Sequence, residues 1–144
     1  MTTFHCINVA MPDINAELIS QWVNDVARSY GRTAGNITYV FCDDAKILEV
    51  NRQYLNHDYY TDIITFDYTE GGRIGGDLFI SLDTVESNSQ QQQTDPREEL
   101  HRVIIHGILH LCGLKDKAPH ERAQMEQAED QALVMLQKMC APKV

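Results

Sequence analysis

The chain has 144 residues and a mass of 16.4 kDa, the size of one ordinary domain. With 43% hydrophobic and 23% charged residues it reads as a folded globular protein and not as a disordered one. Twelve Lys and Arg against 21 Asp and Glu give a net charge of −9, which excludes a protein that coats nucleic acid by bulk charge but not a local basic patch.

Phe4 to Val9 is expected to be the first strand. Pro12-Asp13 then opens a helix with Asp13 as N-cap, an apolar stripe of Ile14, Leu18, Trp22, Val26 and Tyr30, and Gly31 at its close. Ile37 to Cys42 is the second strand, and Asp43-Asp44 cap a helix from Ala45 to about Leu55. Ile63 to Tyr68 and Asp77 to Ser81 pair as an antiparallel hairpin across the Gly71-Gly72 and Gly75-Gly76 turn. Ser87 to Thr94, with four consecutive glutamines, reads as a frayed helix end or solvated loop. A long helix from Pro96 to about Leu111 and a last one from Pro119 to about Met139 complete the chain. The expectation is a single α+β (mixed α/β) domain over residues 1–144, with about four strands in a mixed sheet.

No apolar run approaches the ~20 residues of a membrane span, and the N-terminal residues lack the layout of a secretory signal. Cys6, Cys42, Cys112 and Cys140 are dispersed among apolar neighbours with no Cys-x-x-Cys pair. A reducing, cytoplasmic setting without membrane contact follows.

The helix from Pro96 carries the chemistry. At 100° per residue, Glu99, Arg102, His106, His110 and Gly113 fall within about 40° of one line, and most of the rest, from Leu100 to Cys112, is apolar. Such a helix is a buried central one, so its polar stripe must face a cleft or a buried partner. His101 lies on the opposite side. Histidines at i and i+4 have Cβ atoms about 5–6 Å apart and can share one ion. Gly113 then turns the chain so that Asp116 reaches the same point. His106, His110 and Asp116 thus form a facial set with open positions for water or substrate. Asp116 has a second reading as a cap for the following helix, and His120 is the reserve ligand. The spacing resembles the metalloprotease pattern, but the place of that motif's glutamate is taken by Gly107, so peptide hydrolysis lacks its base.

His106-Gly107-Ile108-Leu109-His110-Leu111-Cys112-Gly113 resembles the signature of the YbeY family of bacterial endoribonucleases and rRNA maturation factors. The likeness extends to Asn51 through Asp58, to Thr61 through Phe66 and to Gly76 through Ser81. The resemblance implies a zincin-like fold, single-strand-specific RNA hydrolysis in maturing the 3′ end of small-subunit rRNA, and contact with ribosome-assembly proteins or small-subunit components. Two departures stand out. Asp116 occupies the place of a third histidine, which hardens the site, so that Mn²⁺, Fe²⁺ or Ni²⁺ join Zn²⁺ as the one divalent ion. Leu55 occupies the place of an arginine implicated in activity, for which Arg52 and Arg102 are the substitutes at hand.

Arg97, Arg102, Lys115, Lys117 and Arg122 concentrate near the ligand motif. Arg102 is the candidate catalytic cation, and Lys115, Lys117 and Arg122 are candidate phosphate contacts. Tyr59 and Tyr60 are candidates for stacking bases, with Tyr54 assigned to the core. Two other functions compete with RNA cleavage: a non-catalytic, metal-binding assembly factor, and a hydrolase or iron oxygenase using the same two histidines and carboxylate.

Overall fold

The structure is a computed structural model and describes residues 1–55 and 61–140, with Leu55 described by its backbone alone. It is an α+β domain built on a four-stranded mixed sheet. The elements in order are β1 (Thr2–Cys6), α1 (Ala16–Ser29), β2 (Thr33–Cys42), α2 (Asp44–Val50), a π-helical turn (Asn51–Leu55), β3 (Ile63–Asp67), β4 (Arg73–Ser81), α3 (Leu82–Gln92), α4 (Pro96–Leu111) and α5 (Pro119–Cys140). The strands lie in the order β1-β2-β4-β3. β2 pairs in parallel with both β1 and β4, while β3 runs antiparallel to β4 along the expected hairpin.

Alternation along the strands gives each face of the sheet its own core. Ile37, Tyr39, Phe41, Leu78 and Ile80 join the large cluster with α1, α4 and α5. Cys42, Ile64, Phe66 and Phe79 turn to the other face, where Ile47 and Val50 of α2 cover them. Two polar anchors reach through the large core. The Tyr39 hydroxyl donates to the Ile104 carbonyl at 2.8 Å, tying α4 to the sheet, and the Trp22 indole donates to the Ala132 carbonyl at 2.8 Å, tying α1 to α5. Both bonds satisfy polar atoms that burial would otherwise leave unpaired.

Several boundaries differ from expectation. β1 lies earlier than Phe4–Val9, at Thr2–Cys6. α1 is capped by Asn15, whose side chain accepts from the Leu18 N–H at 3.1 Å, and not by Asp13. Its buried face centres on Ile19, Trp22, Val23, Val26 and Ala27, so Ile14 precedes the helix and Tyr30 is exposed. β2 begins four residues early, at Thr33. α2 ends at Val50, where the backbone widens into the π-helical turn.

The glutamine-rich segment is helical. Ser81 caps α3, the helix runs through Gln92, and Gln93 closes it at φ 55°. Glutamine is a good helix former, but only Val85 and Ser89 of α3 are buried, so no apolar period marks the helix. Tyr54 is exposed and stacks edge-on against Phe66, with ring centroids 5.6 Å apart, instead of entering the core. All four cysteines are free thiols; Cys42 and Cys112 are buried, whereas Cys140 is exposed. No described helix is long and apolar enough to cross a membrane.

His101 packs edge-on against Trp22, ring centroids 6.2 Å apart. Burial, helped by Arg97, lowers its pKa from the ordinary 6.5, against the smaller pull of Asp95 and Glu98. A lowered folded value means that the unfolded chain takes up the proton first. Stability from this group is therefore complete above about 6.5 and lost as pH falls through the folded value. Urea titrations across that window should show a drop in wild-type midpoint that His101→Gln lacks in part. A wild-type-minus-variant difference independent of pH would contradict this.

Candidate metal centre

α4 owes its position to its sequence. Asp95 caps it by accepting from the Arg97 N–H at 2.9 Å, Pro96 opens its first turn, and Leu100, Val103, Ile104, Ile105, Ile108, Leu109 and Leu111 are buried. Gly107 lets the helix lie close on the sheet: a Cβ there would stand 2.2 Å from Leu78 Cδ2 and 3.0 Å from Ile63 Cδ1. Its face meets the hairpin of β3 and β4, so a glutamate at this position has no room. Gly113 adopts φ 105° just beyond the helix, a conformation that side chains strongly disfavour, and so turns the chain toward Asp116.

The polar stripe of α4 faces a cleft of about 490 Å³ between α4 and α5. Glu99, Arg102 and His106 of α4, Asp116 of the connecting loop, and Arg122 and Glu129 of α5 line it. A second recess of about 270 Å³ shares His106, Asp116 and Glu129 and reaches Asp62 at the start of β3. His106 stands between two carboxylates. Its Nε2 is 3.2 Å from Asp116 Oδ2, and its Nδ1 is hydrogen-bonded to Glu129 Oε2 at 2.7 Å. The other oxygen of Glu129 accepts from Arg102 Nη1 at 2.9 Å, while Arg102 Nη2 donates to Asp130 Oδ1 at 2.5 Å.

Electrostatics follow from this enclosure. Burial alone would lower the His106 pKa, but the hydrogen bond and charge of Glu129, with Asp116 and Asp62, outweigh it and raise the value. Burial raises the carboxyl pKa of Asp62 above its ordinary range, against the opposing charge of His106 and two backbone hydrogen bonds. Glu99 is raised for the same first reason, with Arg102 opposing. Five acidic residues line the main cleft, Glu98, Glu99, Asp116, Glu126 and Glu129, against the arginines Arg102 and Arg122. The cleft therefore favours cations.

The expected ligands are placed unequally. His106 and Asp116 are in contact, and His110 is exposed in the last turn of α4. His120, the reserve, is exposed near the start of α5. Among the described residues no three His, Cys, Asp or Glu side chains already close round one point. The His106–Asp116 pair, taken alone, is spaced as two ligands of one divalent ion would be. Two atoms each ~2.0–2.1 Å from one tetrahedral ion stand roughly 3.3 Å apart, and the His106–Asp116 separation is 3.2 Å.

The basic residues are more scattered than their sequence spacing implies. Arg122 lines the cleft, whereas Arg97 pairs with Asp13 at 3.9 Å away from it. Lys115 and Lys117 are exposed on the loop between α4 and α5. Arg52 is exposed on the π-helical turn. Tyr59 and Tyr60, with the family-like residues Asn56, His57 and Asp58, lie outside the described residues, as does the side chain of Leu55. Sequence reasoning did not find Glu129 or Asp130, which lie on a different helix more than twenty residues from His106. Their only sequence signal is an acidic pair amid the apolar positions of α5. Asp62 had a signal in the family-like Thr61-to-Phe66 block but no assigned role.

Comparison with known proteins identifies the family. The sequence profile of the family described as Endoribonuclease YbeY matches residues 7–137. The chain is 58% identical over 137 residues to a protein named Endoribonuclease YbeY from Parabacteroides distasonis, covering 95% of this chain and 96% of that protein. It is 60% identical over 133 residues to the one from Bacteroides thetaiotaomicron, covering 92% and 97% respectively. Among solved structures, the solution structure of TM1509 from Thermotoga maritima superposes with a TM-score of 0.64 at 18% identity, over 96% of this chain and 93% of the other, a likeness of fold. A buried helix bearing the His106-to-Gly113 signature, set on a mixed sheet and matched over nearly its full length, places the chain in the YbeY endoribonuclease family.

Proposed function

We propose that the cleft between α4 and α5 is a divalent-metal-dependent site that cleaves single-stranded RNA in the maturation of small-subunit rRNA. As a member of the family the chain is a hydrolase acting on RNA. The observation that carries the assignment to this cleft is the His106–Asp116 pair, whose facing nitrogen and oxygen stand 3.2 Å apart. His106, His110 and Asp116 would hold the ion, with His120 in reserve. Zn²⁺ is the favoured ion, and the carboxylate oxygen admits Mn²⁺, Fe²⁺ or Ni²⁺. A bound divalent ion supplies positive charge against a phosphoryl oxygen and acidifies water.

The chain's own residues set the terms on which RNA enters. An acidic cleft repels phosphate until a cation compensates it, which makes cleavage depend on metal by electrostatics alone. Arg102 is held by Glu129 and Asp130, so it is not free to grip phosphate as a sequence reading allowed. That task falls to Arg122 at the cleft and to Lys115 and Lys117 on the loop beside Asp116. The substrate makes small-subunit components and assembly proteins the natural partners, in the cytoplasm.

Purified protein incubated with single-stranded RNA, with and without chelator, tests this reading. Cleavage should vanish with chelator, return with metal, and be absent in His110→Ala. RNA binding without metal-restored cleavage would instead support a non-catalytic assembly factor. Salt gives a second, quantitative expectation. Three cationic contacts imply a slope of about −2 in log K against log salt on single strands. Lys115→Ala with Lys117→Ala should flatten the slope and weaken binding across RNA sequences while leaving metal content unchanged. Binding indifferent to salt and to both lysines would remove the loop from the RNA site.

A further inference from the structure

We propose that Glu129, clamped by Arg102, is a positioning residue that holds His106 with its proton on Nδ1 and its Nε2 lone pair presented beside Asp116. The proposal rests on the reading of His106 as a metal ligand.

Glu129 is only 8% exposed and lies on the buried face of α5 with Met125, Ala128, Ala132 and Leu133. A carboxylate in such a place is costly unless its oxygens are paired. Both are: Oε2 meets His106 Nδ1 at 2.7 Å, and Oε1 accepts from Arg102 Nη1 at 2.9 Å. The second arm of the guanidinium reaches Asp130 at 2.5 Å. Arg102 thus bridges two adjacent acids of α5, a fork geometry that a planar guanidinium holds and an ammonium does not.

Arg102 and His106 are four residues apart on α4, so they project from the same face. Both therefore meet one carboxylate, and the contact orients the imidazole against α5. A neutral imidazole carries one N–H. Facing an ionised carboxylate at hydrogen-bond distance, Nδ1 must be the donor, which leaves Nε2 as an acceptor. That acceptor stands 3.2 Å from an Asp116 oxygen. With the ring neutral, two electron-rich atoms so placed repel each other, and either a proton on Nε2 or a divalent cation relieves the repulsion. The carboxylate behind the ring also strengthens the ring's basicity toward such a cation. Arg102 thereby acquires a role that does not involve RNA: it keeps Glu129 in place behind His106.

Long-range ¹H–¹⁵N NMR correlation on the metal-free full chain at alkaline pH reads the tautomer directly, and cobalt titration reads the affinity. Wild-type His106 should carry its proton on Nδ1. Glu129→Met, of similar length and apolar, should shift the ring toward the Nε2-protonated tautomer and weaken cobalt binding about 10–100-fold. Arg102→Met should keep the tautomer, since the Glu129–His106 bond survives, and weaken cobalt binding by less. Glu129→Gln guards against a Met variant that fails to fold. Its single oxygen can serve His106 or Arg102 but not both, so its affinity should fall between wild type and Glu129→Met. An unchanged tautomer in Glu129→Met, or cobalt affinity equal to wild type in a folded Glu129 variant, would overturn the proposal alone. Wild-type protein that binds no cobalt would overturn the metal reading and this proposal with it.

Discussion

His106→Ala is expected to abolish RNA cleavage and to lower metal affinity by more than the roughly 10–100-fold that loss of a ligand's supporting partner costs. The reason is its double engagement. Nε2 faces Asp116 at 3.2 Å while Nδ1 holds Glu129 at 2.7 Å, so truncation removes the proposed ligand atom and frees one oxygen of a buried carboxylate. Arg102 still pairs the other oxygen, which should keep the domain folded. Metal content by elemental analysis and cleavage of single-stranded RNA by the same preparation check this. A His106→Ala protein that binds metal and cleaves RNA at the wild-type rate would show that the cleft is not the active site.

Gly107→Ala is expected to destabilise the chain by lifting α4 from the sheet. Its Cβ would stand 2.2 Å from Leu78 Cδ2, and Leu78 is fully buried between α4 and the sheet. Ile63 Cδ1, 3.0 Å away, blocks movement to the other side. Alanine's better helix propensity offers up to about 1 kcal/mol, whereas overpacking a tight core costs about 1–3 kcal/mol and occasionally more. The clash wins because relief requires α4 to lift, and the Tyr39–Ile104 bond at 2.8 Å holds it down. Thermal denaturation of metal-free protein should show a fall in Tm of several degrees. A Tm equal to or above wild type would mean that α4 does not lie as close on the hairpin as described. Since α4 carries His106 and His110, lifting it should also reduce metal affinity.

Strong local signals made much of this molecule legible from sequence. The β3–β4 hairpin, the Pro96 start and Leu111 end of α4, and the turn at Gly113 follow from proline, glycine and apolar patterning, and all appear in the structure. The stripe of Glu99, Arg102 and His106 does face a cleft. α3 leaves only a weak sequence signal, a frayed helix end or loop at the glutamines, because the helix rests on a Ser81 cap and glutamine propensity, with only Val85 and Ser89 buried. Tyr54 was misassigned because helical spacing does not reveal that the backbone widens into a π-turn there.

The site was half legible. His106, His110 and Asp116 lie within eleven residues, so helical geometry and one glycine relate them. Glu129 and Asp130 reach the same place through the packing of α5 on α4, a long-range contact that no local period encodes. Missing them changes the reading of Arg102. By sequence it is a cation near a ligand motif; in the structure its guanidinium is bonded to two carboxylates. The same packing gives the cleft its acidic lining, so local basic spacing overstated its attraction for phosphate.

X-ray absorption at the zinc edge of metal-loaded protein tests the central claim most directly. The ligand set His106, His110 and Asp116 predicts two imidazole nitrogens at about 2.0–2.1 Å, with the remaining coordination from oxygen. The imidazole signal should fall by half in His110→Ala and stay unchanged in His120→Ala. Three imidazoles in the wild type, one of them lost in His120→Ala, would contradict the assignment of Asp116, and a site without imidazole would contradict the metal centre altogether.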